Sequence, residues 1–333
     1  MEFPVFLVKL DNIRTIEEAS QKIFENSNLD ERPERVEWPQ GDTLRKRWLP
    51  GNAGETIGVN EINYTEQESF KYIFLNAYVE RARNIVKGPN GQWLDRIDRI
   101  NKVESEVLFL EYENNVFMAV YMNLTKSQYK LNFILKDLLK EDIWGSTTLL
   151  PPEFHISDST YYWILSKFLT GDKIISETPN MIIKSFTGYS GAAVDDAHLM
   201  TGEGERISAL LGTLAFIFGD DTLKSLRLSI NFNENENFLF ELASQGNVRL
   251  IEYEGDIATD ELHQEKILLT LMLYKLIIPG IIDSFVKAEG EQEWNAQKKL
   301  EFINFVGDQI LTKVNEEMQE TTRMLNEMAG ANR

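Results

Sequence analysis

The apolar residues of this chain follow two spacings, one typical of strands and one typical of helices. The opening stretch FPVFLVKL (3–10) is a nearly continuous apolar run and predicts a buried strand. EVLFLEY and VFMAVYM flank the turn residues ENN, which predicts a β-hairpin between 106 and 122. SLRLSINF, FLFELAS and VRLIEYEG are separated by NENEN and QGN, so we expect an antiparallel β-meander over 225–255.

Helical spacing begins after two capping boxes. Thr15 with Glu18 opens a helix over 15–26, and Thr65 with Glu68 opens a stretch whose apolar positions predict a helix over 65–88. A further helix is expected over 125–144, and a core helix should begin near Glu203 and end at Gly219.

The C-terminal part of the chain predicts two long helices. The first covers 259–288, is apolar all round at its centre, and meets a kink or break at Pro279–Gly280. The second covers 291–328 and would be roughly 55 Å long. Its later apolar positions alternate three and four apart, which is the heptad spacing of a coiled coil. The candidate oligomerisation residues on this seam are Leu311, Val314, Met318, Leu325 and Met328, with Thr321 between them.

Together these elements predict an α+β protein of two domains. The N-terminal domain, 1–190, is mixed α/β with the hairpin and a long polar loop over 27–64. The C-terminal domain, 191–333, holds the antiparallel meander followed by the long helices.

Composition narrows the class of protein. An apolar content of 43% is that of a folded globular chain, and the absence of cysteine excludes disulfides, thiolate metal sites and thiol catalysis. The N-terminus lacks the basic stretch of a signal peptide, and the most apolar segment, 267–285, contains Lys275, Asp283 and a proline. We therefore expect a cytoplasmic protein without membrane insertion.

The formal charge of −19 disfavours general attraction to nucleic acid or anionic lipid. Residues 1–194 carry 22 basic and 28 acidic side chains, and residues 195–333 carry 12 and 25. The second part of the chain therefore holds most of the negative charge, −13 against −6.

Basic residues nevertheless gather in two segments beside aromatic residues. LRKRW (44–48) lies in the predicted loop near Trp38, and a second group runs from 81 to 102. Such groups can contact a nucleic-acid backbone and its bases, and they can equally pair with acidic residues of the same chain. The candidate nucleic-acid contacts are Arg45, Lys46, Arg47, Trp48, Arg81, Arg83, Lys87, Arg96 and Arg99.

Motifs for catalysis or cofactor binding are weak. TGEGERISALLG (201–212) has two glycines before a helical run, but Glu203 and Glu205 would repel a phosphate and suit the positive end of the helix instead. GYSG (188–191) lacks the spacing of a nucleophile elbow. DDAH offers Asp195, Asp196 and His198 to Mg²⁺ or Mn²⁺, and a solvated acidic loop explains it equally. The sequence thus predicts no cofactor and no enzyme signature.

The stretch RINKVESEVLFLEYENNVFMAVYMNLTKSQYKLNFIL (99–135) combines a charged segment, two apolar strands around a short turn, and a polar-capped helix. This order of elements resembles the corresponding part of prokaryotic phage-exclusion and phage-defence proteins of the RexA and KwaB types. The resemblance covers about a tenth of the chain and includes no diagnostic motif. It implies a non-catalytic α+β protein that oligomerises and touches DNA or another defence component, although the acidic charge departs from that of a plain DNA binder.

The sequence therefore predicts a non-catalytic oligomeric sensor or regulatory protein, of bacterial anti-phage defence, that acts through protein–protein contacts and a local basic nucleic-acid-binding patch. The expected partners are further copies of the chain, as a dimer or higher oligomer, and another protein. The alternative is a metal-dependent hydrolase or nuclease that uses the acidic loop with Asp195, Asp196 and His198.

Overall fold

A computed structural model describes residues 1–52, 56–65, 67–192, 199–204, 211–257 and 262–331. Its strands are β1 (Phe3–Leu10), β2 (Lys46–Pro50), β3 (Asn60–Asn63), β4 (Ser69–Ala82), β5 (Ile100–Tyr112), β6 (Asn115–Val120), β7 (Thr147–Leu149), β8 (Ile174–Glu177), β9 (Asn180–Ala192), β10 (Leu199–Glu203), β11 (Thr222–Phe232), β12 (Glu236–Ala243) and β13 (Val248–Glu254). Its helices are α1 (Ile16–Glu25), α2 (Arg96–Arg99), α3 (Leu124–Asp137), α4 (Glu141–Trp144), α5 (Asp158–Thr170), α6 (Leu211–Phe218), α7 (Leu262–Met272), α8 (Ile278–Gly290) and α9 (Ala296–Ala331).

The α+β class is confirmed. The predicted hairpin is formed by β5 and β6, whose register runs from Val107 opposite Val120 to Tyr112 opposite Asn115. The meander begins with β11 and β12, which pair antiparallel over eight residues from Ser225 opposite Ala243. Both long C-terminal helices are present as well.

The described residues divide into two compact units by their contacts. The first unit comprises 1–155, 245–249 and 257–276, and the second comprises 156–244, 250–256 and 277–333. The domain boundary placed at 190/191 from the sequence falls inside β9, which belongs to the second unit. The chain therefore passes between the units several times, where the sequence suggested one division.

The first unit is built on a sheet with the strand order β1-β6-β5-β4-β2, extended by β3 beside β4 and β7 beside β1. One face of this sheet meets α1, whose Ile16, Ala19 and Ile23 are buried. The capping box predicted for this helix is confirmed at its start, where the Thr15 side chain accepts a hydrogen bond from the Glu18 amide.

The helix predicted over 65–88 is wrong, because Ser69–Ala82 forms the long strand β4. Ile73, Leu75, Ala77 and Val79 recur every second residue and are buried in the main hydrophobic cluster of the unit. Phe74 is also buried, on the opposite face. Because both faces of the strand carry apolar residues, the stretch also contains apolar residues at helical spacing. Eleven residues of β4 pair with β5, which shows that the stretch is a strand.

The loop predicted over 27–64 is only partly a surface loop. It contains β2 and β3, both paired with β4. Trp38 and Leu44 pack with Val86 and Ile100 in a small second cluster, so this segment contributes to the interior of the unit.

The second unit has the strand order β10-β9-β11-β12-β13, with β8 beside β9. Tyr161 of α5 is buried and donates a hydrogen bond to the carbonyl of Leu242 at 3.0 Å. The core helix expected from about Glu203 is wrong at its start, since Leu199–Glu203 is the strand β10. The helix that does form, α6, ends before Gly219 as expected.

The apolar segment 262–290 is helical throughout, with a π-helical turn at Leu273–Ile277 followed by Pro279. Among the described residues it is the one helix long and apolar enough to cross a membrane, over His263–Gly290. Its most apolar stretch is 67% buried, as in a core helix of a soluble protein.

Candidate functional site

Helix α9 has a packed first part and an exposed second part. In the first part, Phe302 and Val306 are buried, and the helix contacts α5 and α6. Gly307 permits the close approach to α6, because a Cβ atom at this position would lie 2.8 Å from Cε2 of the Phe218 ring. The position of α9 is therefore fixed by its first three turns.

The predicted oligomerisation residues lie in the exposed part. Leu311 is 63% exposed, Val314 39% and Met318 63%. We call these three residues the α9 stripe. Leu325 and Met328 continue its spacing in the sequence, and their side chains lie outside the described part of the structure. From Val314 onward, every described side chain of the helix is exposed, so the described residues of the second unit supply no cover for the stripe.

A groove of about 390 Å³ lies on the α9 stripe. It is lined by Val314, Glu317, Met318 and Thr321, with Thr322 at one side. The first four are spaced i, i+3, i+4 and i+7, which is the four-residue hole that receives one side chain from a facing helix in a coiled coil. The exposed surface thus has the local shape for helix pairing.

The basic segment 44–48 is mostly internal. Lys46 is 4% exposed, and its ammonium lies 2.7 Å from Asp137 Oδ1 and also bonds Glu31. Trp48 is buried and packs edge-on against Phe109 and Trp144. These two candidate nucleic-acid contacts therefore lie in the interior of the first unit and are bonded or packed there.

A second group of predicted contacts forms an ion-pair network. Arg96 forms ion pairs with both Asp42 and the buried Glu80. The Arg99 Nη1 atom lies 3.2 Å from Asp42 Oδ2. Arg99 also stacks over the Trp38 ring at 4.7 Å, so Trp38 is not an exposed base-stacking surface. This network ties α2 and the end of β4 to the 38–44 segment.

The remaining predicted cations divide into paired and unpaired residues. Arg47 bonds Asp30, Arg81 bonds Asp137, and Lys87 bonds Glu37. Arg45 and Arg83 are exposed, and neither has a carboxylate partner among the described residues. Nucleic-acid binding stays a prediction, and Arg45 and Arg83 are the residues on which it depends.

The electrostatics of this region reflect the pairing. Hydrogen bonds from Arg47 hold the pKa of the Asp30 carboxyl below its ordinary value. Burial, followed by a hydrogen bond to Glu80, raises the pKa of Tyr78 to about 12. Both shifts are consequences of contacts made within the first unit.

The residues of the metal alternative, Asp195, Asp196 and His198, lie outside the described residues, as does Glu205. Within the ranges that the structure describes, no three His, Asp or Glu side chains are grouped to hold a metal ion. The hydrolase alternative therefore stays a prediction that rests on the sequence alone.

The start of TGEGERISALLG, residues 201–203, and all of GYSG lie in strands. Glu203, expected in a first helical turn, lies in β10 and pairs with Arg227 of β11. Ser190 of GYSG lies in β9, with its Oγ atom 2.7 Å from Ser225 Oγ, which donates to Glu241 at 2.9 Å. This hydroxyl chain ends on a carboxylate, and within the described residues it forms no serine–histidine or serine–lysine pair.

The second unit contains a cleft of about 610 Å³ that no pattern in the sequence indicated. Trp163, Lys167 and Asp172 line one side, and Asp283 and Lys287 of α8 line the other. Lys167 donates to Asp172 at 2.8 Å, so its charge is compensated. The side chains come from segments more than a hundred residues apart, and no local motif could have indicated them.

No family model, curated protein or solved structure matches this chain.

Proposed function

We propose that this chain is a non-catalytic, self-associating sensor or regulatory protein, and that its copies associate through the α9 stripe. The observation that supports this proposal is the exposure of Leu311, Val314 and Met318 on a 36-residue helix. Apolar side chains in a continuous row at heptad spacing are stabilised when a second helix covers them. Its setting in bacterial anti-phage defence is part of the proposal and comes from the resemblance of residues 99–135. A cytoplasmic location is also part of the proposal, and it comes from the expectations drawn from composition and hydropathy.

A second copy of the chain suits the stripe better than a dissimilar partner. Between 310 and 324, the charged residues Lys313, Glu316, Glu320 and Arg323 occupy positions away from the stripe, and Glu317 alone borders it. Two identical acidic chains can therefore bring these faces together with little direct repulsion between facing side chains.

The test is the mass of the full chain in solution, measured by light scattering during size-exclusion chromatography. Wild type should have a multiple of the 38.4 kDa chain mass. Val314→Asp with Met318→Asp should have the mass of one chain, because buried carboxylates without partners oppose association. Glu316→Lys, on the outer face, is the control and should behave as wild type. A single-chain mass for wild type at about 100 μM would contradict the proposal.

The defence role is tested separately in cells. Wild type should reduce phage plaque formation, and the Val314→Asp, Met318→Asp variant should lose this protection while accumulating to the same level. Equal protection by both proteins would separate defence from self-association. Asp195→Ala, Asp196→Ala and His198→Ala together should leave protection intact, whereas loss of protection would favour the metal-dependent alternative.

A further inference from the structure

The surface beside the α9 stripe is wider and more neutral than a two-helix seam requires. With Leu311 and Met318 at heptad position a, and Val314 and Thr321 at d, the flanking e and g positions are Ile310, Asn315, Glu317, Thr322 and Met324. Only Glu317 among these five is charged. In two-stranded coiled coils these flanking positions are often Glu and Lys, which form salt bridges across the seam.

The apolar face also extends onto position g. Met324 at g is 51% exposed, and Ile310, at g two heptads earlier, is half-buried. A helix in a bundle of three or more chains has two neighbours, so its flanking positions are covered as well as its seam. Apolar or neutral residues at these positions are favoured there by the loss of water contact.

The branching of the seam residues points in the same direction. β-branched residues at a with Leu at d favour two strands, whereas Leu at a with a β-branched residue at d shifts the preference to trimers and tetramers. In the two heptads from 311 to 324, Leu311 and Met318 at a are unbranched at Cβ, and Val314 and Thr321 at d are β-branched, whereas Met328 at the next d is unbranched. An unbranched residue at a followed by a β-branched residue at d is the order that favours trimers and tetramers.

Apart from Glu317 at its g position, the charged residues from 310 to 324 remain on the outside in such a bundle. Arg323 lies 3.7 Å from Glu320 and 3.8 Å from Glu327, all on the face opposite the stripe. Parallel, in-register packing also places every Thr321 in one layer, where the hydroxyls can hydrogen-bond to one another and avoid an apolar neighbour.

We propose that α9 joins more than two copies of this chain, in a parallel bundle of three or four helices. The inference rests on the proposed function, since it takes the α9 stripe as the surface of self-association. It adds the number of chains and their orientation.

The experiment exchanges the branching while keeping the stripe apolar. Sedimentation equilibrium of the full wild-type chain should give three or four times 38.4 kDa. The variant Leu311→Ile, Val314→Leu, Met318→Ile, Thr321→Leu places β-branched residues at a and Leu at d, and should give a two-chain mass. Four conservative changes on the outer face, Thr312→Ser, Lys313→Arg, Glu316→Asp and Glu320→Asp, form the control and should leave the mass unchanged. Circular dichroism establishes that all three proteins are folded.

Orientation is tested with cysteines, since the native chain has none. Leu311→Cys, near one end of the seam, should form disulfides between identical chains in a parallel bundle, and Glu316→Cys should not. In an antiparallel arrangement, the Leu311→Cys side chains of two copies would lie apart and form no disulfide, which would contradict the proposed orientation.

A two-chain wild-type mass would overturn the inference and leave the proposed function standing, whereas a single-chain mass would overturn both.

Discussion

Neighbouring basic residues at 45 and 46 have opposite surroundings. Lys46 points into the first unit and bonds Asp137 and Glu31, whereas the Arg45 side chain is exposed. Sequence alone gives both residues the same chemistry, and the opposite directions of neighbouring side chains where β2 begins, at Lys46, separate them. The Lys46 ammonium stabilises the buried Asp137 carboxylate. Without it, Arg81 is the remaining ion-pair partner of Asp137 among the described residues.

We expect Lys46→Met to lower the free energy of unfolding by about 2–3 kcal/mol, somewhat below the usual cost of breaking a buried pair because Arg81 still bonds Asp137. The measurement is urea denaturation followed by circular dichroism. Arg45→Met is the matched control and should change stability by less than about 0.5 kcal/mol. Equal effects of the two substitutions would show that Lys46 is not held in the interior.

At the scale of elements, the packing of α6 on β9 depends on a missing side chain. A Cβ atom on Gly191 would lie 2.2 Å from Cζ of the buried Phe216 and 2.8 Å from the carbonyl oxygen of Thr222. The first is a core ring and the second is backbone of β11, so neither can move away easily. A Cβ atom on Gly212, on the exposed side of α6, would meet no other atom of the described residues within 4 Å.

Gly191→Ala should therefore destabilise the protein by about 1–3 kcal/mol, as overpacking of a close-packed interior does. Gly212→Ala should stabilise it by up to about 1 kcal/mol, since alanine loses less conformational freedom than glycine in a helix. Thermal unfolding of both variants measures the difference. A stabilising Gly191→Ala would mean that α6 does not pack closely on β9.

Strands delimited by turn residues could be predicted from the sequence, and the long strand β4 could not. The hairpin of β5 and β6 and the meander have turn residues and short apolar runs, and their positions are confirmed. β4 has apolar residues on both faces, so its spacing fits a helix equally well until its pairing with β5 is known. The same limit applies to the basic cluster, because nothing local in LRKRW reveals that Asp137 and Glu31 lie beside Lys46.

At the scale of the whole molecule, the charge of −19 opposes association. Exposed charges on two copies repel each other over distances set by the ionic strength, with a screening length of about 30 Å at 0.01 M salt and 10 Å at 0.1 M. The proposed apolar contact between α9 helices should be little affected by this change in salt.

Self-association should therefore strengthen as salt rises, with a dissociation constant several-fold lower at 300 mM than at 20 mM NaCl. Sedimentation velocity over a concentration series measures this. The Val314→Asp, Met318→Asp variant should stay a single chain at both salt concentrations. Weaker association at high salt would mean that opposite charges, and not the α9 stripe, hold the copies together.

The repeated passage of the chain between the two units affects how the protein is made. The first unit needs residues 245–249 and 257–276, which are synthesised only after most of the second unit. Domains commonly fold in turn as they leave the ribosome, and here the unit that begins first cannot be completed first. Strands β1 to β7 must wait for α7 while the following segments emerge, so a nascent chain halted before residue 257 holds an unfinished N-terminal unit.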